Sequence, residues 1–219
     1  NELATVCEQV GADAKQVERG LKTDSRIGVH AYLSPGRAFA GGTLARDVEY
    51  LTQTTRKSSL NTPLLASIRP SNEEHKNWAR NKLKEKFPSL LGIKVALWGL
   101  TYKPGTDTLR RSPSVALCDW LIGQGAEVAI FDPVVKNIPK HWQGRVNVCS
   151  EAMDAVAGVN VLIVGTDWPE FRDKTREILN CAGPQLVVVD ENRHLQNLAY
   201  ELHGNYISVG SPTVRKGKK

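Results

Sequence analysis

The chain has 219 residues, 41% hydrophobic and 24% charged, with 18 Gly and 11 Pro, a balance that excludes a disordered or collagen-like polymer. No run approaches the about 18 to 20 consecutive apolar residues that cross a bilayer, so a membrane partner is not expected. A formal charge of +6 raises nucleic acid as a ligand, yet the excess is spread along the chain and clusters only at Arg215, Lys216, Lys218 and Lys219; no nucleic-acid partner is expected.

The sequence opens on Asn1 and Glu2 without an initiator Met or secretory pattern, as a piece of a longer chain would. Cys7, Cys118, Cys149 and Cys181 have unrelated spacings and no CxxC pair, which predicts no metal site and no disulfide framework, and fits a reducing cytoplasm. Leu3, Val6, Cys7 and Val10 share one helical face, closed by Gly11. Asp13 is placed to cap a second helix carrying Val17 and Leu21. Thr23 to Gly42 is irregular, and a loop of about 20 residues inside a compact domain is usually functional or disordered. Helical spacing returns at Leu44, Val48 and Leu51, and again over Pro63 to Phe87, where Pro70 should kink or interrupt it.

After Gly92 the pattern changes. Short Val- and Ile-rich runs at Lys94–Trp98, Glu127–Phe131, Val146–Cys149, Val159–Val164, Leu186–Val189 and Tyr206–Val209 read as strands. Helical segments separate them at Pro113–Gly123, Ser150–Val156, Pro169–Leu179 and Leu195–Leu202. The fold class is therefore α/β, a helical segment over residues 1–91 followed by a Rossmann-like doubly wound parallel sheet over 92–219.

Ligands of such a sheet sit beyond the carboxyl ends of its strands. The turn after the first strand reads Gly99-Leu-Thr-Tyr-Lys-Pro-Gly-Thr-Asp107, with Thr101 where a dinucleotide fingerprint has its second glycine. It brings Lys103, Arg110 and Arg111 to a helix that Ser112 and Pro113 start well, a combination suited to phosphate; a solvated role for Lys103 is equally open. Asp132-Pro133 is first a turn and second a ribose-binding acid. Asp190 to Arg193 faces the same crevice, unless Asp190 merely caps a helix and Arg193 pairs with Glu191. At Phe39 to Asp47, Gly41 and Gly42 let backbone approach a ligand closely, while Thr43 is also a simple helix cap and Asp47 a simple surface acid.

Taken together, Gly11-Ala-Asp13, Asp24-Ser-Arg-Ile-Gly28, Phe39 to Asp47, Gly99 to Ser114, Asp132-Pro133, Thr166 to Phe171 and Asp190 to Arg193 resemble the UDP-glucose/GDP-mannose dehydrogenase family in family order. The resemblance implies an NAD-dependent oxidation of the C6 alcohol of a UDP- or GDP-sugar. Residues 1–91 then correspond to the second half of a central dimerisation region and 92–219 to the nucleotide-sugar domain, with NAD held mainly by a domain that precedes them. It implies that Tyr102, Lys103 and Arg193 contact the nucleotide sugar, together with Phe39, Gly41 and Gly42. Arg26 crosses to the substrate of a second subunit in a homodimer, Arg46 and Arg110 reach NAD, and Asp47 is the catalytic aspartate that orients the hydrolytic water. The chain departs from the family motif at its nucleophile, where Thr43 stands in the place of cysteine. A thiol splits the four-electron oxidation into two steps through a covalent intermediate. Its loss implies either a two-electron alcohol-to-aldehyde step or a binding homologue without turnover.

Overall fold

The computed structural model describes residues 1–202 and 204–212, so the basic cluster from Arg215 to Lys219 lies outside the described residues. Five helices come first: α1 (Glu2–Val10), α2 (Ala14–Thr23), α3 (Thr43–Lys57), α4 (Pro63–His75) and α5 (Trp78–Lys86). The strands follow as β1 (Lys94–Trp98), β2 (Glu127–Phe131), β3 (Val146–Val148), β4 (Val161–Val164), β5 (Val187–Val189) and β6 (Tyr206–Ile207). Between them lie α6 (Pro113–Gly123), α7 (Ala152–Val156), α8 (Thr175–Cys181) and α9 (Leu198–Glu201). The sheet is wholly parallel in the order β3-β2-β1-β4-β5-β6, the doubly wound arrangement.

Strand alternation explains the layers. Val95, Leu97, Val128, Ile130, Val161 and Ile163 point to one face, against Leu117, Cys118 and Leu121 of α6. Ala96, Trp98, Phe131, Leu162 and Val164 point to the other, against α7, α8 and Leu198 of α9. Both faces are covered, which is why these strands are apolar runs rather than alternating ones. The first face is also packed by Ala4 and Cys7 of α1, Ala14 of α2, and Trp78, Ala79 and Leu83 of α5. The helical segment and the sheet thus share one core.

Polar anchors reinforce that junction. The buried Glu8 accepts hydrogen bonds from the Trp78 indole at 3.0 Å and the Gly210 backbone N–H at 2.8 Å, and pairs with Lys82 at 3.0 Å. Arg193 pairs with Asp13 at 2.7 Å, so the residue that caps α2 also ties it to the loop after β5.

Several elements differ from expectation. The long helix breaks at Lys76–Asn77 instead of at Pro70, which lies inside α4. Tertiary bonds hold the turns beside the proline: Arg69 to Glu49, Ser71 to Glu2 and Asn72 to Phe39. The segment from Pro169 splits into a short 3-10 turn, Pro169–Phe171, and α8, because Phe171 is drawn into the core against Trp98 with ring centroids 4.7 Å apart. The last helix shrinks to α9.

Glu18 of α2 accepts from Lys15, Lys22 and Ser34 at 3.0, 2.8 and 2.6 Å. Burial alone would raise its pKa; the hydrogen bonds from Lys22, Ser34 and Lys15 overcome that and hold it at about 2, against 4.5 for the ordinary group. A depressed folded-state pKa gives stability that is full above the unfolded value and lost as pH falls toward the folded one. The urea midpoint of the native chain is expected to exceed that of Glu18→Gln near pH 6, and the gap to narrow toward pH 3. A gap that stays constant would show that Glu18 does not titrate between these states.

Candidate functional site

In a doubly wound sheet the ligand crevice opens where the strand order reverses, here between β1 and β4. β1 is followed by Gly99, with φ +84°, and a Cβ there would lie 2.5 Å from the backbone N of Thr166. The two strand-end turns therefore touch backbone to backbone. Thr166 Oγ1 donates to the carbonyl of Thr101 at 2.6 Å, and Thr101 Oγ1 donates to that of Lys103 at 3.1 Å. Asp132 completes the scaffold. One carboxylate oxygen accepts from the N–H groups of Leu100 and Thr101 and from the Trp168 indole; the other accepts from Val134 and Val135. Both oxygens are spent on the turn, so Asp132 is the turn residue of its two readings and is not available to a ribose.

The turn delivers α6. Ser112 caps it by accepting from Ser114 N–H at 3.2 Å, and Ser114 Oγ donates to Gly165 at the end of β4 at 2.9 Å. Beside this helix start lies a crevice of about 1080 Å³. Its floor is Ile163, Val164 and Gly165 of the β4 end with Glu191 of the β5 end; one wall is Arg111 to Ser114 with Ala116 and Leu117, and the other is the Arg37–Gly41 loop with α3 and α4.

The loop is clamped from several sides. Asn72 of α4 both donates to the Phe39 carbonyl at 3.0 Å and accepts from its N–H at 2.9 Å. His75 bonds the Gly36 carbonyl at 2.8 Å; burial lowers its pKa below the usual imidazole value, against the pull of that carbonyl. Asn192 Oδ1 accepts from Arg37 N–H at 2.8 Å, while its amide donates to Asp167. Gly36 packs so closely on Asn192 that a Cβ would sit 2.3 Å from Oδ1. Arg111 donates to the Gly41 carbonyl.

Charge in the crevice is biased. Arg69 pairs with Glu49 at 2.5 Å and Lys76 with Glu73 at 2.7 Å. Arg80 donates to the Ala116 carbonyl at 3.0 Å and lies over the Trp120 ring, and Arg111 is engaged only with backbone. Among the described residues neither Arg80 nor Arg111 has a carboxylate partner, so both cations face the crevice uncompensated. Such guanidiniums beside a capped helix start favour an anion.

The residues singled out from sequence fall into separate places. Phe39, Gly41 and Arg46 line the crevice. Tyr102, Lys103 and Arg110 lie on the β1–α6 turn that leads into it; Lys103 and Arg110 are exposed, and the Lys103 ammonium is 5.6 Å from the Tyr102 ring centroid. Gly42, Thr43 and Asp47 are exposed outside the lining, with Gly42 rather than Thr43 as the cap of α3. Arg26 is 86% exposed at its side chain and paired with Asp24 at 2.6 Å. Arg193 is turned inward to Asp13, not to Glu191, because the loop after β5 reaches the α2 cap. Asp190 is buried and accepts from Leu195 N–H and the Tyr206 hydroxyl, holding the loop after β5; it caps no helix, because α9 starts only at Leu198 with Asn197 before it. Arg37 and Asn72 carry no motif that marks them in the sequence, and Asn192 stands out only as a member of the polar run from Asp190 to Arg193. Arg111 carried one clue, its place directly before the Ser-Pro helix start.

Comparison with known proteins agrees with this architecture. The model of the central domain of the UDP-glucose/GDP-mannose dehydrogenase family matches residues 1–74, and that of the family's UDP binding domain matches residues 96–197. The UDP-glucose 6-dehydrogenase of Pseudomonas aeruginosa is 30% identical over 220 residues, covering 97% of this chain and 48% of that protein. The UDP-glucose 6-dehydrogenase of Rickettsia conorii is 28% identical over 215 residues, covering 96% and 50%. The crystal structure of NDP-N-acetyl-D-galactosaminuronic acid dehydrogenase from Methanosarcina mazei shares the fold with a TM-score of 0.81 at 21% identity, over 100% of this chain and 48% of that one. The chain spans about half the length of the curated relatives it matches. Two domain models of one family, matched in order over most of the sequence, show that the chain belongs to the UDP-glucose/GDP-mannose dehydrogenase family.

Proposed function

We propose that this chain is the C-terminal part of an NAD-dependent nucleotide-sugar dehydrogenase, holding the UDP- or GDP-sugar whose C6 alcohol is oxidised. The observation that carries this reading is the crevice at the strand-order reversal, with Arg80 and Arg111 beside the start of α6 and without a carboxylate partner among the described residues. A diphosphate placed there meets two guanidiniums and a helix N-terminus. Tyr102 and Lys103 extend the site along the β1–α6 turn. Phe39 and the Gly41 backbone supply its opposite wall.

The sheet itself does not fit a dinucleotide. Thr101 is buried where a glycine would let pyrophosphate approach, and Asp132 has no oxygen left for a ribose. These features support a reading in which NAD is held mainly by a domain outside the described residues, with the exposed Arg46 and Arg110 as the groups that reach it. No cysteine lines the crevice among the described residues. That favours a two-electron step, or a binding homologue without turnover, over oxidation through a thioester. Arg26, with the exposed Leu3, Val6 and Val10 near the chain start, would serve a homodimer built on the helices.

Calorimetric titration with UDP, GDP and their sugars tests the reading. Binding is expected, and Lys103→Ala or Arg111→Ala is expected to weaken it about tenfold, the scale of one charge-assisted hydrogen bond. Binding that is indifferent to both substitutions would place the ligand elsewhere.

A further inference from the structure

The carboxyl ends of the strands gather several carboxylates, and most are consumed by the protein. Asp132 serves the turn after β1; Asp190 accepts from Leu195 N–H at 2.6 Å and Tyr206 hydroxyl at 2.7 Å; Asp167 takes the Asn192 amide and lies 3.4 Å from Arg37 Nη2. Glu191 is different. It lines the crevice with a side chain only 14% exposed, and among the described residues its partner is Arg37, whose Nε lies 4.0 Å away, beyond hydrogen-bond distance. Arg37 has little freedom to come closer, because its guanidinium donates to the Val164 carbonyl at 2.9 Å and its backbone N–H to Asn192. A carboxylate this buried, with no hydrogen-bond donor among the described residues, is costly unless donors reach it from the open side.

We propose that Glu191 is the specificity-determining residue of the crevice, accepting two adjacent hydrogen-bond donors of the bound nucleotide sugar: a vicinal diol of ribose or hexose, or the N1–H and N2–H edge of guanine. The inference rests on the nucleotide-sugar reading above. Two carboxylate oxygens match two parallel donors as a fork. Uracil offers one N–H between two carbonyl oxygens and leaves one carboxylate oxygen facing another acceptor. Discrimination then comes from the mismatch as much as from the match. Burial raises the Glu191 pKa, Arg37 opposes this, and Asp167 and Asp190 add to it. A ligand that donates twice stabilises the charged form, so its affinity falls as pH falls.

The test compares the chain with Glu191→Gln in titrations with UDP, 2′-deoxy-UDP, GDP, UDP-glucose and GDP-mannose, with melting curves alongside. The variant is expected to bind about tenfold or more weakly wherever the paired donors are present, and to lose the pH dependence of binding. Loss confined to GDP and GDP-mannose assigns the guanine edge. Loss for UDP and GDP but not 2′-deoxy-UDP assigns the ribose, and loss confined to the sugar conjugates assigns the hexose. Glu191→Asp, which keeps the charge but shortens the reach, is expected to fall between. Affinities unchanged within about twofold, even with an altered melting temperature, would overturn the proposal and leave Glu191 structural. A native chain that binds none of these ligands would instead overturn the nucleotide-sugar reading, and this inference with it.

Discussion

Glu8→Ala is expected to destabilise the chain by about 3 to 5 kcal/mol, the scale seen when one partner of a buried ion pair is removed. The side chain of Glu8 is 7% exposed and serves three donors from two parts of the fold: Trp78 and Lys82 of α5, and Gly210 after β6. Alanine strands the indole and the Gly210 N–H without acceptors and leaves Lys82 only the more exposed Glu85, at 3.3 Å. Burial would lower the pKa of Lys82, but the hydrogen bond and charge of Glu8 raise it, so the pair is electrostatically coupled as well as packed. Against a typical total of about 5 to 15 kcal/mol, this is a large fraction. Thermal unfolding followed by circular dichroism should show a fall of about 10 °C or more. Glu8→Gln retains an acceptor for the two neutral donors and is expected to lose less. Equal, small losses in both variants would mean that the anchor is replaced by water.

Gly99→Ala combines strain with overlap. At φ +84° alanine costs about 1 to 2 kcal/mol, and its Cβ would press on the Thr166 backbone at 2.5 Å, where no side-chain rotation gives relief. Overpacking of this kind adds about 1 to 3 kcal/mol. The consequence extends to binding, because Thr166 Oγ1 holds the Thr101 carbonyl and Thr101 holds that of Lys103. We expect a less stable chain, by about 3 kcal/mol, that also loses most of its nucleotide affinity in calorimetry. Full affinity in a destabilised variant would separate the glycine's packing role from the site.

The parallel sheet was legible because its cause is local. Val- and Ile-rich runs of strand length, each followed by a helical segment, can bury two faces only in a doubly wound sheet, and Ser112-Pro113 or Asp13 announce helix starts through bonds to near neighbours. The helix break was misplaced for the complementary reason. Pro70 weakens its own turn, but bonds from α4 to Glu2, Phe39 and Glu49 outweigh that loss.

The site was legible in part. Phe39, Gly41 and Arg46, which line the crevice, stood out through residue type and motif order; Arg37 has no local mark, and Asn192 and Glu191 stand out only as part of the polar run past the last long strand. Asp132 and Glu191 look alike in sequence, each an acid just past a strand. Only the tertiary structure shows that backbone N–H groups occupy the first and a crevice faces the second. By itself the sequence determined the fold class, the order of elements, the family and the cationic turn after β1, because periodicity, capping and motif order act between residues close in the chain. The tertiary structure decided which polar groups are spent and which remain for a ligand. Those outcomes depend on partners such as Arg37 with Asn192, 155 residues apart, and Glu8 with Gly210, 202 residues apart, which meet only once the core has closed.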